Sequence, residues 1–389
     1  MKRTTRSRPI KIDITNVYAG GCYTATICLG SHRTPINALL DTGSSSLCVN
    51  RARYDPGSDA LMKPTRLAQQ QSYVDGCGWA GPVVRTRVSV RHIRECRDLD
   101  NVYVAATDWQ EGVFEGEMHG MLGLAYVPLD YASRCPRPTW PHFDRKGIDR
   151  WPEVDIEPYF TELEKQGTTP NKFSMYTLRS QVRYGQKAIE RDAWNRGYLI
   201  LGGGEEYTSL YTGKFADVKV LHDVYYNTHL ISVSVGSGRP IRVPRPTRRS
   251  GLNSNSIIDS GTNTICFPTW LYRKVLAQFS TLNPEFSKAI ERSNGGDDIK
   301  LSEAALRKWP KLHFAMEGTS GDLHLTVSPQ CYWQLNANED GAAYFAIDSE
   351  TDDQTILGLP FMNGFFCVFD RSADRGLGVV RLAQAKPPR

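Results

Sequence analysis

The feature that most constrains this chain is an internal echo. ALLDTGSSSLCV holds Asp41-Thr42-Gly43-Ser44, and SIIDSGTNTICF holds Asp259-Ser260-Gly261-Thr262. In both, apolar residues run into Asp, a hydroxyl residue, Gly and a second hydroxyl residue, after which apolar residues resume. Each copy has a downstream companion: Gly120-Met121-Leu122-Gly123-Leu124 in the first half and Thr355-Ile356-Leu357-Gly358-Leu359 in the second. The same elements in the same order at comparable separations indicate duplication, and therefore two lobes of one design.

The rest of the chain fits that frame. Its 389 residues, 40% of them hydrophobic, are enough to bury cores in two or three domains. Short segments rich in β-branched or aromatic residues recur throughout, among them YTATICLG, VRTRVSV, KFSMYTL, GYLILGG, HLISVSVG and FFCVFDR, with Gly, Pro, Asn or Asp at most boundaries. Helical patterns are confined to EPYFTELEKQG, PTWLYRKVLAQFS and SEAALRKW. The expected class is all-β with minor helices. No apolar run reaches the ~18 residues of a membrane span.

The net charge of +5 is unevenly placed. Lys2, Arg3, Arg6, Arg8 and Lys11 stand in residues 1–12 without an acid, and Arg239, Arg242, Arg245, Arg248 and Arg249 stand in 237–256 without one. The remaining body is net acidic, which argues against a nucleic-acid-binding surface. Both basic segments read as solvated chain; the sharper reading is an acidic partner or a processing site in the Arg-Pro loop. Residues 127–157, with several Pro and Asp and with Trp140 and Trp151, read as a second long insertion, functional or mobile. No apolar core of ~7–15 residues follows Met1-Lys2-Arg3, so no signal peptide is read. A full-length chain is then expected to be cytoplasmic, and a trimmed mature form secreted or periplasmic. Cys48, Cys266 and Cys367 sit inside apolar runs, as buried free thiols do. No Cys-x-x-Cys and no Cys/His cluster has zinc spacing, and neither a metal nor a cofactor is expected.

The chemistry of the repeat is specific. An apolar strand delivers Asp to its end, Gly permits a sharp reversal and close approach of backbone, and the hydroxyls can hold the carboxylate rigidly. Two Asp related by a pseudo-twofold would share one site, where carboxyls ~3 Å apart cannot both ionise easily and hold one proton between them. The ionised member can then take a proton from a bound water while the protonated member donates to a substrate carbonyl. The two pKa values would belong to the pair.

With these residues the sequence resembles the pepsin-like (A1) aspartic endopeptidases, from about residue 16 to 382. GMLGLAY, NKFSMYTL, LYTGKF, IIDSGTNTICFP and FFCVFDRSADRGLG resemble its β-secretase (memapsin) branch most, and a bacterial pepsin homologue fits equally well. The resemblance implies a bilobal fold with a basic tail over 1–12, an N-terminal lobe over 13–206 carrying the flap, and a C-terminal lobe over 207–389. It implies catalysis by Asp41 and Asp259, buttressed by Thr42, Ser260 and Ser44, with Gly43, Gly261 and Thr262 facing substrate. Tyr73, Val74, Asp75 and Gly76 match the flap tip, and Tyr225 resembles a residue lining the primed side of the cleft. It further implies a polypeptide substrate bound as an added strand, pepstatin-type inhibition, an acidic optimum and a monomer.

The sequence departs from the family at Cys48, where many relatives carry a Trp bonded to the flap Tyr. Trp79, just after the flap turn, is the candidate replacement, in a flap about one residue longer. The competing reading is a catalytically weak peptide-binding or inhibitor protein on the same fold. A two-carboxylate glycosidase is disfavoured by the repeated frame. There is no Gly-x-Ser-x-Gly for a serine hydrolase, and GSGRP is loop composition rather than a phosphate loop.

Overall fold

The first strand shows why this chain makes sheets. Along Ile10–Ala19, Ile10, Ile12 and Ile14 are buried, while Lys11 and Asp13 alternate with them on the other face. That period of two is the signature of a strand with one face on a core. A computed structural model describes residues 8–73, 76–92, 95–185, 188–247, 250–350 and 354–388. It shows an all-β, two-lobed protein with few helices.

A six-stranded antiparallel sheet joins the lobes. Ile10–Ala19 pairs with Arg196–Leu201, which pairs with Lys172–Tyr176. Lys172–Tyr176 then crosses to Phe365–Asp370, with Met175 opposite Cys367, and Val379–Ala385 and Tyr211–Lys219 follow. Each half of the chain thus gives three strands. Aromatic rings fill the join: Phe173 and Phe369 stack at 4.7 Å, and Tyr226 meets Phe369 edge-on at 4.6 Å.

Both halves repeat one crossing. Thr34–Asp41 runs parallel to Gly120–Gly123 with Asp41 opposite Gly123, and Leu47–Asn50 returns antiparallel along the same short strand. In the second half Ser256–Ile258 runs parallel to Thr355–Leu357, and Ile265–Pro268 returns antiparallel. Each Asp loop is therefore slung across its companion strand. The companions need glycine, because a Cβ on Gly123 would lie 2.3 Å from the carbonyl carbon of Ser45 and one on Gly358 would lie 2.1 Å from the Thr264 oxygen.

A long hairpin, Lys63–Ser72 with Gly78–His92, forms the flap. Residues 127–157, expected as a loop, are partly built onto it. Tyr131–Arg134 pairs with the first flap strand, Ser133 opposite Ala68, and Glu153–Asp155 pairs with Tyr131–Arg134 in turn. The edge of the flap strand offered unpaired backbone groups, and the insertion satisfies them.

Other boundaries also differ from expectation. Residues 10–12, assigned by charge to the basic tail, begin the first strand, because burial of Ile10 and Ile12 outweighs the exposure of Lys11. In 237–256, Ile241–Arg242 forms a strand, Val243 is buried and Arg245 pairs with Glu317, so this loop is anchored at its start. Arg248 and Arg249 lie outside the described residues. The expected helices occur as Tyr159–Lys165, Thr269–Leu282 and Glu303–Leu306. An unexpected one, Pro284–Asn294, is capped by Asn283 and starts on Pro284. No described helix is long and apolar enough to cross a membrane. Cys22, Cys48, Cys135, Cys331 and Cys367 are free thiols.

Candidate active site

The two Asp loops meet at the junction of the lobes and bond to each other below the carboxyls. Thr42 N donates to Ser260 Oγ at 3.0 Å, and Ser260 N donates to Thr42 Oγ1 at 2.9 Å. Each hydroxyl also reaches across: Thr42 Oγ1 donates to the Ile258 carbonyl at 3.0 Å and Ser260 Oγ to the Leu40 carbonyl at 2.7 Å. Above this lattice the loops hold their carboxylates alike. Gly43 N donates to Asp41 Oδ1 at 2.7 Å, and Gly261 N to Asp259 Oδ1 at 2.8 Å. Ser44 Oγ donates to Asp41 Oδ2, and Thr262 Oγ1 donates to Asp259 Oδ2 at 2.6 Å.

Asp41 and Asp259 are 5% and 8% exposed. Glycine is required on both sides of the pair, since a Cβ on Gly43 would meet the Asp259 carboxyl at 2.7 Å and one on Gly261 the Asp41 carboxyl at 2.5 Å. Burial raises the pKa of Asp41 well above that of an ordinary carboxyl, and the neighbouring Asp259 charge adds to it. The bonds from Ser44 and Gly43 act the other way and do not cancel the rise. At acidic pH Asp41 therefore keeps its proton.

The flap stands over this pair. Tyr73 begins its turn, with Tyr73 N donating to the Cys77 carbonyl at 2.8 Å and Gly76 at a positive φ of 85°. Val74 and Asp75 lie outside the described residues. Trp79 Nε1 donates to the Tyr73 hydroxyl at 2.9 Å, and that hydroxyl donates to Met121 Sδ at 3.1 Å. Met121 Sδ also lies 3.6 Å from Ser44 Oγ. A chain of contacts therefore runs from flap indole to Tyr73, Met121, Ser44 and Asp41. Cys48 is wholly buried on the strand opposite Met121, and burial pushes its thiol pKa up. Tyr225 is half-buried, and the Asp259 and Asp41 charges add to the burial that raises its pKa.

Two features of the site were not anticipated. Cys22 is buried against the second loop, its Sγ donating to the Gly261 carbonyl at 3.3 Å, and burial first and then both Asp charges disfavour its thiolate. Asp130, at the root of the insertion, is 2% exposed and accepts from Gln69 Nε2 at 2.7 Å and Ser46 Oγ at 2.9 Å. Gln69 belongs to the flap and Ser46 follows the first Asp loop, so one carboxyl ties three segments together. Burial raises its pKa to about 7 against the lowering effect of those two bonds. A signal for Cys22 existed in its place on the strand next to Asp41. Asp130 carried none, since an Asp after Val-Pro-Leu reads as a turn residue. No three His, Cys, Asp or Glu side chains among the described residues are placed to hold a metal ion.

Two mirrored Asp loops, cross-bonded and covered by a flap, are the arrangement expected of one family, and the family model for eukaryotic aspartyl proteases matches residues 22–385. The chain belongs to that family. It is similar to plasmepsin IV from each of two isolates of Plasmodium falciparum, at 24% identity to each over 361 residues, covering 88% of this chain and 65% of each relative. The chain thus spans about 65% of the length of these two relatives.

Proposed function

We propose that this protein is an aspartic endopeptidase, with its active cleft between a lobe over residues 10–206 and one over 207–389. The observation that carries the reading is the placing of Asp41 and Asp259 in mirrored loops that hold their carboxylates alike and bond to each other through Thr42 and Ser260. In the proposed reaction an extended peptide lies under the flap as an added strand. The carboxylate of the pair takes a proton from a bound water, whose oxygen attacks the scissile carbonyl carbon. The protonated member gives its proton to the carbonyl oxygen, forming a neutral gem-diol. Proton transfer to the amide nitrogen then lets the C–N bond break, releasing a carboxyl and an amine. The proton is assigned to the pair rather than to one residue.

In this reading Gly43, Gly261 and Thr262 face the peptide, Tyr73 and Gly76 close over it with Val74 and Asp75, and Tyr225 borders the primed side. Trp79 supports the flap through Tyr73, the place that Cys48 cannot fill for want of an indole N–H. This replacement, with the motifs along the chain, supports a reading nearest the β-secretase branch. Activity should be highest at acidic pH and fall as the pair loses its shared proton, and pepstatin-type transition-state mimics should bind the pair. Cleavage of a peptide library across pH tests the reading. Pepstatin-sensitive cleavage that Asp259→Asn abolishes supports it, and cleavage surviving in that variant refutes it.

A further inference from the structure

The strongest unexplained feature lies away from the Asp loops, where both halves of the chain enclose a cavity of about 430 Å³. Its lining includes Arg179, Arg183 and Arg307, with Trp194 and Trp333, and shares no residue with either Asp loop. Arg179 is the anomaly. It is 6% exposed, yet among the described residues its guanidinium bonds only to carbonyls, Nε to Gln181 at 3.1 Å and Nη2 to Leu335 at 2.7 Å. Carbonyls satisfy donors but do not neutralise charge, and a buried cation is costly unless an anion pairs with it. Asp192 is paired with Arg183 at 3.2 Å, and its charge favours the Arg179 cation only as the least of the influences on it, behind the burial that opposes it. Burial lowers the Arg179 pKa to about 10, which leaves it charged at neutral and acidic pH. Arg307 is exposed and makes no ion pair among the described residues; the one acid in the lining, Glu303, is exposed as well. An unmet donor belongs to the same residue set, since Trp333 is fully buried and its Nε1 has no acceptor among the described residues. Leu178 and Leu306, both buried, complete an apolar wall.

We propose that this inter-lobe cavity is a binding site for a small apolar carboxylate, its carboxylate on Arg179 and Arg307 and its apolar body against Trp194 and the leucines. A cavity of this size takes a small ligand rather than a folded partner. The chemistry is shared by free aryl acids and by the C-terminal carboxylate of a peptide that ends in an apolar residue. The site is independent of the proposed peptidase cleft.

Calorimetric titration of the full chain tests the assignment with three probes: 3-phenylpropanoate, N-acetylphenylalanine as the peptide-terminus form, and N-acetylphenylalaninamide. At least one carboxylate should bind with Kd below about 1 mM, and the amide about tenfold or more weakly, because it forfeits a charge-assisted bond. Which carboxylate binds more tightly distinguishes the two sources. Arg179→Gln should abolish binding. Arg307→Gln, an exposed change that leaves the fold alone, should weaken it about threefold or more. Asp259→Asn should bind as the wild type does. Equal binding of amide and acid, no binding of either acid, or unchanged affinity in Arg307→Gln would overturn the proposal.

Discussion

The two Asp loops differ little in themselves and greatly in what packs on them. Each is slung over a short companion strand, holds its carboxylate with a glycine N–H and a hydroxyl, and reaches across to the other loop. Beyond that frame the symmetry ends. The first loop continues through Ser46 into a buried polar cluster with Gln69 and Asp130, and touches the flap through Met121. After Thr262 the second loop continues to Thr264, whose hydroxyl meets the Cys266 thiol at 3.1 Å. Duplication therefore supplies the paired acids, while the elements around the first loop make the pair asymmetric and cover it.

The frame common to both loops predicts the largest effect. Asp41→Asn and Asp259→Asn should each lower kcat on a peptide substrate by about 10³-fold or more, and the double variant should fall little further, because the two act as one unit. Additive losses, or an effect confined to one loop, would break the equivalence of the pair.

Asp130 predicts the next effect, present on one side only. Its folded pKa of about 7 exceeds the ordinary carboxyl value, so the folded state holds a proton the unfolded chain has lost. The neutral form carries the full stability at low pH. Stability then declines as pH rises from about 4 through about 7, by up to about 4 kcal/mol. Asp130→Asn should remove that decline, flattening thermal or urea stability between pH 4 and pH 8. An unchanged slope in the variant would show that the carboxyl does not titrate in this window.

The lattice below the acids predicts coupling between lobes. Thr42→Val and Ser260→Ala should each cost about 1–3 kcal/mol by stranding buried donors. Their double variant should cost less than the sum, read in urea denaturation. Full additivity would mean that the loops do not depend on each other. The smallest effect belongs to the flap: Trp79→Phe removes the bond to Tyr73 and should raise KM or lower kcat by about three- to tenfold without loss of stability.

These contrasts also show what a sequence can reveal. The paired loops were legible because their chemistry is local: Asp, hydroxyl and Gly sit within four positions, twice, each with a Gly-bearing companion. The need for Gly123 and Gly358 was visible as pattern, and only packing shows that a side chain there would strike the loop above. Trp79 could be nominated from its place after the flap turn. By contrast, pairing of Tyr131–Arg134 with the flap joins distant segments through backbone groups that carry no residue signature. Asp130 was illegible for the same reason, since its partners Ser46 and Gln69 are remote in sequence and its burial depends on that pairing. The helix Pro284–Asn294 had readable signals in Asn283, Pro284 and the spacing of Phe286, Ala289 and Ile290, and passed unread beside the stronger pattern that precedes it.

The central claim is that one proton shared by Asp41 and Asp259 makes the chemistry, and the pH dependence of kcat/KM on a peptide substrate tests it most directly. The account predicts a bell-shaped profile with its maximum at acidic pH, an alkaline limb set by loss of the shared proton, and background rates for Asp41→Asn at every pH. A profile that rises toward neutral pH and persists in Asp41→Asn would contradict it.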